Sequence, residues 1–178
     1  MKKTLILFST TDGQTKIICE KIHELLQSKF LIELTSIDRY KDISIQEFDT
    51  VVVGASIRYG KHSHQVQNFI KINKDSLNNI KTAFFSVNVV ARKPEKNTPS
   101  TNPYVIKFLS KLDWKPSITA VFAGKINYPS YNFIDKQIIR LIMYITKGPT
   151  DTSKSFEFTD WSKVADFSRD LEKLINLN

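Results

Sequence analysis

Cysteine is almost absent from this chain of 178 residues: Cys19 stands alone, so no intrachain disulfide can form and nothing calls for an oxidising compartment. A reduced, cytosolic setting is expected. Glycine and proline are sparse, at 5 and 6 residues, which excludes collagen-like and low-complexity chains. Long apolar runs are missing too. Leu5 to Phe8 breaks at Ser9, Thr10, Thr11 and Asp12, too early for the apolar region of a signal peptide behind Met1, Lys2 and Lys3. The most apolar stretch, Ile138 to Ile145, is eight residues long and contains Arg140, against the roughly 20 apolar residues that cross a bilayer. The chain is therefore read as touching a membrane at most. Acidic residues are in deficit, with 18 Asp plus Glu facing 26 Lys plus Arg for a formal charge of +8.

What is present suits one globular domain over 1–178: a hydrophobic fraction of 41% and an aromatic fraction of 11% supply the volume of a core. Leu5 to Phe8 is a short apolar run closed by a polar turn, and Ile18, Ile22, Leu25 and Leu26 then recur at helical spacing. Leu31 to Ile37 and Thr50 to Ala55 read as further strands, the second without polar alternation, as in a parallel sheet covered on both faces. Val66, Phe69, Ile70 and Asn73 mark a second helix, Thr82 to Val87 a fourth strand, and Val105, Phe108, Leu109 and Leu112 a third helix opened by Asn102-Pro103. Ile118 to Ala123 is a fifth strand, and a last helix starts near Asp160. Five strands alternating with helices predict a doubly wound α/β sandwich.

One segment breaks the alternation. Residues 127–158, before the last helix, form an insertion too long for an ordinary connection. Within it Ile134, Ile138, Leu141, Ile142 and Ile145 share one face of a helix, while Asn132, Lys136, Arg140 and Lys147 take the other. Such a helix either lies on an anionic membrane surface or packs on the sheet or over the site, with Ile138 and Ile142 leading the packed alternative.

The first loop, Ser9-Thr10-Thr11-Asp12-Gly13-Gln14-Thr15, joins a strand end to a helix start, where free backbone N–H groups and hydroxyls can hold a phosphate. It lacks the lysine and spacing of a triphosphate-binding P-loop and the glycines of a dinucleotide fingerprint. A single phosphate monoester such as that of FMN fits it. Two other strand ends carry distinctive loops, Ala55-Ser56-Ile57-Arg58-Tyr59-Gly60 and Ser86-Val87-Asn88-Val89-Val90-Ala91-Arg92-Lys93. Ligands of open α/β sheets bind at such ends, so the three loops predict a phosphate pocket and two walls for a flat ring.

These three segments resemble the flavodoxin-like, menaquinone-dependent protoporphyrinogen oxidases, most specifically through Ala91-Arg92-Lys93-Pro94-Glu95-Lys96. Further similarity runs through Pro99 to Asn102, Ala123-Gly124, Tyr128-Pro129, Leu141 to Met143, Thr150 to Thr152 and Thr159 to Trp161. The resemblance implies a five-stranded flavodoxin-like fold and an FMN enzyme of haem synthesis. It would oxidise protoporphyrinogen IX and pass electrons to a membrane quinone, menaquinone or ubiquinone, from a peripheral position at the cytoplasmic face of the inner membrane. Carried over by position, Ser9 to Thr15 hold the ribityl phosphate, Ala55 to Gly60 flank the isoalloxazine, and Ser86 to Ala91 form its other wall. Asp12 departs from the wider flavodoxin pattern, and a carboxylate there must turn away from a phosphate or bond an N–H at the helix start.

Tyr59 is placed either against the flavin or as a half-buried loop residue, and the lack of an aromatic among Val89, Val90 and Ala91 leaves that side of the ring open to substrate. Arg92, Lys93 and Lys96 are the expected contacts for the two carboxylates of a tetrapyrrole, with Arg58 as a further cation on the rim. No general base stands out. His62 and His64, just past the second loop, are placed to assist proton transfer but read more readily as surface residues, and Cys19 reads as a packing residue. No metal is expected. A noncatalytic FMN electron carrier is the alternative, but such carriers resemble one another in being acidic, and +8 argues against it. Nucleic acid is not an expected partner, since the basic residues are spread over many elements with no accompanying aromatic pattern. The oligomeric state is left open.

Overall fold

The computed structural model describes residues 1–177, with the side chains at 41 and 42 left aside; the expected domain limit, Asn178, lies outside the described residues. In chain order the elements are β1 (Lys3–Ser9), α1 (Gln14–Leu26), β2 (Leu31–Ser36), β3 (Thr50–Arg58), β4 (Lys61–His62), α2 (His64–Ile72), α3 (Lys74–Asn78) and β5 (Lys81–Val87). Then follow α4 (Pro103–Leu109), β6 (Ile118–Phe122), β7 (Lys125–Asn127), α5 (Phe133–Ile145), β8 (Ser155–Glu157) and α6 (Trp161–Asn176).

Five strands form the expected parallel sheet in the order β2-β1-β3-β5-β6. From β1 the chain adds β2 on one side and the remaining strands on the other, so the switch point lies between β1 and β3. The register aligns Ser9 with Ala55, Ala55 with Ser86, and Ser86 with Val121. Three loops therefore leave the carboxyl edge of the sheet side by side.

Both faces of the sheet are buried, which is why Thr50 to Ala55 shows no polar alternation. On one face Val51, Val53 and Phe84 pack against Val66, Phe69 and Ile70 of α2 and Val105 and Phe108 of α4. On the other, Ile6, Val52 and Phe85 pack against Ile18 and Ile22 of α1 and Val164, Phe167 and Leu171 of α6. Gly54 sits where these layers close: a Cβ there would lie 2.3 Å from the ring of Phe85. Asn102 opens α4 as expected, its side chain accepting from the N–H groups of Tyr104 and Val105.

Besides the short α3, two features escaped the periodic reading. After β3 the chain reverses through Tyr59 and Gly60, at φ 48° and 75°, and returns as the short β4. Positive φ at both turn positions matches the tight turn that joins twisted antiparallel strands. The insertion, in turn, leaves and re-enters the domain through an antiparallel ribbon, with Lys125 opposite Glu157, Ile126 opposite Phe156 and Asn127 opposite Ser155. Ile126, Tyr128, Tyr131 and Met143 form a small core of its own beneath α5.

Within α5 only Met143 is buried. The packing of its apolar face on the sheet is thereby corrected: Ile138 is 40% and Ile142 44% exposed, while Phe133, Ile134, Leu141, Tyr144 and Ile145 are more open still. The side turned inward is the narrow one through Ile139 and Met143.

Candidate functional site

The loop after β1 ends on Gly13, whose φ of 87° lets the chain swing into α1. Its N–H donates to Thr10 Oγ1 at 3.0 Å, folding the turn on itself. The start of α1 has no side-chain cap and no acid in its first turn, so its orphan N–H groups are open to an anion. Thr15, fully buried in that turn, has a hydroxyl with no hydrogen-bond partner among the described residues. An orphaned buried hydroxyl at a bare helix N-terminus fits a phosphate oxygen. Gln14 is turned elsewhere: its Nε2 donates to Glu157 Oε1 at 3.1 Å and to Thr159 Oγ1 at 2.9 Å, tying the turn to the base of the insertion.

Two adjoining concavities open at the carboxyl edge. One is lined by Thr10, Gln14 and Thr15 together with Val87, Asn88 and Val89, and Lys125 adds a cation to it. The other, about 320 Å³, is bounded by Ser9, Ser56, Arg58, Tyr59, His62 and Ser63. Ser56 borders both. The three expected loops thus converge on one region, with Asp12 and Ile57 also lining the first concavity and Thr11 the second.

Several expected side chains have other tasks. Arg58 donates to Asp12 at 3.3 Å and to Asp135 of α5 at 2.7 Å, and its guanidinium lies over the rings of Tyr59 and Tyr131. Asp12 also accepts from the Tyr131 hydroxyl at 3.3 Å, so its carboxylate is partnered by side chains instead of bonding a helix-start N–H. Tyr59 is 60% exposed at the apex of its turn and donates to Asp135, a bond that pushes the phenol pKa up and the carboxyl pKa down. Gly60 follows in the same turn.

Arg92 donates to Val89 O at 3.1 Å and to Thr146 O and Oγ1 at 3.0 and 2.8 Å, clamping the loop after β5 to the carboxyl end of α5. Its burial lowers the guanidinium pKa, while the helix-end carbonyl favours its charge. Lys93 and Lys96 border the same loop, half-buried, and form no ion pair among the described residues.

A buried polar network, invisible in the sequence, shapes the wall after β5. His62, expected at the surface, is 4% exposed, and its Nε2 lies 2.9 Å from Ser86 Oγ. Ser86 Oγ accepts from Asn88 Nδ2 at 3.2 Å, and Asn88 Oδ1 accepts from Ala91 N and from Asn102 Nδ2, each at 3.1 Å. Burial, with the rings of Phe84 and Phe108 alongside, pulls the His62 pKa down to about 4, so the imidazole is neutral at pH 7. Ala55 and Ser86 therefore support the site from beneath, while Val90 is half-buried in the loop. Cys19 packs in the core as expected, where burial raises its pKa. His64 is exposed. Lys61, Ser63, Gly124 and Lys125 are lining residues to which the sequence reading gave no role, and His62 lines the second concavity although it was expected at the surface; Lys125 had only its place one residue past Ala123-Gly124 to mark it.

Among known proteins, the flavodoxin domain family matches residues 5–153. Protoporphyrinogen IX dehydrogenase [quinone] of Escherichia coli K12 is 45% identical over 173 residues, covering 97% of this chain and 96% of that protein. The enzyme of the same name from Leishmania major is 41% identical over 174 residues, 97% of this chain and 75% of the relative. Oxidised flavodoxin 1 from Bacillus cereus superposes with a TM-score of 0.54 at 14% identity, over 99% of this chain and all of that one, which shows a shared fold. No helix among the described residues is long and apolar enough to cross a membrane.

Proposed function

The chain belongs to the flavodoxin domain family and, within it, to the protoporphyrinogen IX dehydrogenases [quinone], and from that membership we propose how its residues serve the reaction. The protein is a flavin-dependent oxidoreductase that oxidises protoporphyrinogen IX with a quinone as acceptor. Its flavin is FMN. The observation that carries the cofactor assignment is the unpartnered Thr15 hydroxyl, buried in the uncapped first turn of α1. The hydroxyls of Ser9, Thr10, Thr11 and Thr15 and the first-turn N–H groups hold the phosphate, with Lys125 as a nearby cation. Ser56 to Gly60 form one wall of the ring site and Asn88 to Ala91 the other.

Bound there, FMN supplies two-electron chemistry, used three times for each porphyrin because full oxidation of the macrocycle removes six electrons. The chain binds and orients. Arg58 offsets part of the charge of Asp12 beside the phosphate loop, so an anion entering it meets a partly compensated carboxylate. Asn88 fixes the turn of the second wall through Ala91 N, and Arg92 holds that wall against α5, acting as a positioning residue. The absence of an aromatic at Val89, Val90 and Ala91 leaves that side accessible to substrate. Lys93 and Lys96 lie beside it and attract the dianionic tetrapyrrole.

The exposed apolar face of α5 supports peripheral attachment to the membrane that holds the quinone, in this reading at the cytoplasmic side of the inner membrane. Phe133, Ile134, Leu141 and Ile145 enter the interfacial region, and Lys136, Arg140 and Lys147 meet anionic headgroups. The test is anaerobic. FMN-loaded protein mixed with protoporphyrinogen IX is expected to lose its flavin absorbance and regain it on addition of menaquinone or ubiquinone. A flavin that stays oxidised makes the protein a carrier without this activity.

A further inference from the structure

Resting on the substrate reading above, we propose that the groove between α2 and α4 holds the propionates of the tetrapyrrole. The arginines beside the flavin loops are already engaged: Arg58 by two carboxylates, and Arg92 by Val89 and Thr146. A dicarboxylate approaching them gains little, because their donors and charge are committed within the protein.

On the same side of the sheet as the Tyr59-Gly60 turn lies a cavity of about 170 Å³ with a different character. Tyr104 and Phe108 form its apolar floor, and Lys61, Lys71, Lys107 and Lys111 stand around it. No Asp or Glu lines it, and none of these lysines has a carboxylate within 4.0 Å among the described residues. The arrangement follows from the fold. Both helices bury their apolar sides in one core, through Phe69 and Ile70 of α2 and Val105 and Phe108 of α4, so Lys71 and Lys107 are left at the seam between them. Like charges gathered without partners repel, and an anion relieves that repulsion.

The cavity also borders the proposed flavin region. Lys61 and His62 line both it and the concavity bounded by Ser9, Ser56 and Tyr59. An apolar macrocycle whose acidic groups sit among these lysines would lie against Tyr104 and Phe108 and beside the loop proposed to wall the flavin. Protoporphyrinogen IX has this chemistry: an apolar macrocycle with two adjacent propionates.

The experiment compares wild-type FMN-loaded protein with the triple variant Lys71→Gln, Lys107→Gln, Lys111→Gln, all at exposed positions. Binding of protoporphyrin IX and of its dimethyl ester is read by porphyrin fluorescence, which needs no turnover. The wild type is expected to favour the diacid by at least tenfold, a preference that weakens as salt rises, and the variant to bind diacid and diester alike. In steady-state assays the variant is expected to raise KM for protoporphyrinogen IX about tenfold with kcat unchanged. A variant that keeps the wild-type preference, or a wild type that has none, overturns the groove. A wild type that fails to oxidise the porphyrinogen overturns the proposed reaction instead, and the fluorescence comparison still decides the groove.

Discussion

Replacing Thr15 by valine separates the empty protein from the loaded one, because the two states respond in opposite directions. The side chain is fully buried, and valine keeps its shape while removing a hydroxyl that has no partner among the described residues. Burying an unsatisfied hydroxyl costs about 1–3 kcal/mol, so the apo variant is expected to be more stable by about 1 kcal/mol, or roughly 2–4 °C in Tm. With FMN the hydroxyl donates to a charged phosphate, a bond of about 1.5–3 kcal/mol, and its loss weakens affinity by roughly tenfold to a hundredfold. At FMN a hundred times the wild-type Kd, the wild type gains about 2.7 kcal/mol from ligand, and a variant bound thirtyfold more weakly gains only about 0.9. The order of melting temperatures therefore reverses on adding FMN. Thermal scans with and without FMN, together with fluorescence titration of the flavin, measure both limbs. A variant that binds FMN within threefold of wild type refutes the placement of the phosphate at Thr15.

Other perturbations test other parts of the site. Arg58→Met leaves the Asp12 carboxylate uncompensated in the phosphate loop and should weaken FMN binding about tenfold; adding Asp12→Asn should restore most of it, as read by the same titration. His62 has a folded pKa of about 4 against 6.5 when unfolded, so the unfolded chain takes up a proton first as pH falls. Stability should be unaffected by His62 above about pH 6.5 and should decline by up to about 3 kcal/mol between pH 6.5 and 4, and urea unfolding of His62→Gln should lack that part of the slope. Replacing Ile138 and Leu141 by glutamate should abolish co-sedimentation with anionic vesicles while leaving Tm unchanged, since both side chains are already exposed, by 40% and 59%. Unaltered sedimentation would remove α5 from the membrane.

Much of the architecture was legible because the sheet is covered on both faces. Thr50 to Ala55 must be apolar throughout, and the buried stripes of α2 and α6 repeat at the helical period, so strand and helix announce themselves locally. β4, β7 and β8 did not, because strands of two or three residues owe their existence to a partner reached by the fold. The site divides in the same way. The three loops could be read from their place at strand ends, whereas the pairing of Arg58 with both Asp12 and Asp135 depends on positions 46 and 77 residues away. The network through His62, Ser86, Asn88 and Asn102 likewise joins β4, the end of β5 and the start of α4, which no local pattern connects. For α5 the spacing identified an amphipathic helix correctly, but periodicity reports only that one side is apolar. What covers that side is a property of the neighbours, and here the domain leaves it bare.

The insertion is stitched to each loop of the proposed cofactor cleft: Tyr131 to the first through Asp12, Asp135 to the second through Arg58, and Thr146 to the third through Arg92. A tug on the outer helix is thus felt inside. If adsorption to a lipid surface shifts α5 even slightly, the grip on the flavin must change with it, and by reciprocity a filled cleft must alter how readily the protein settles on lipid. Enzyme floating free and enzyme resting on a bilayer would then hold the same prosthetic group with unequal tenacity.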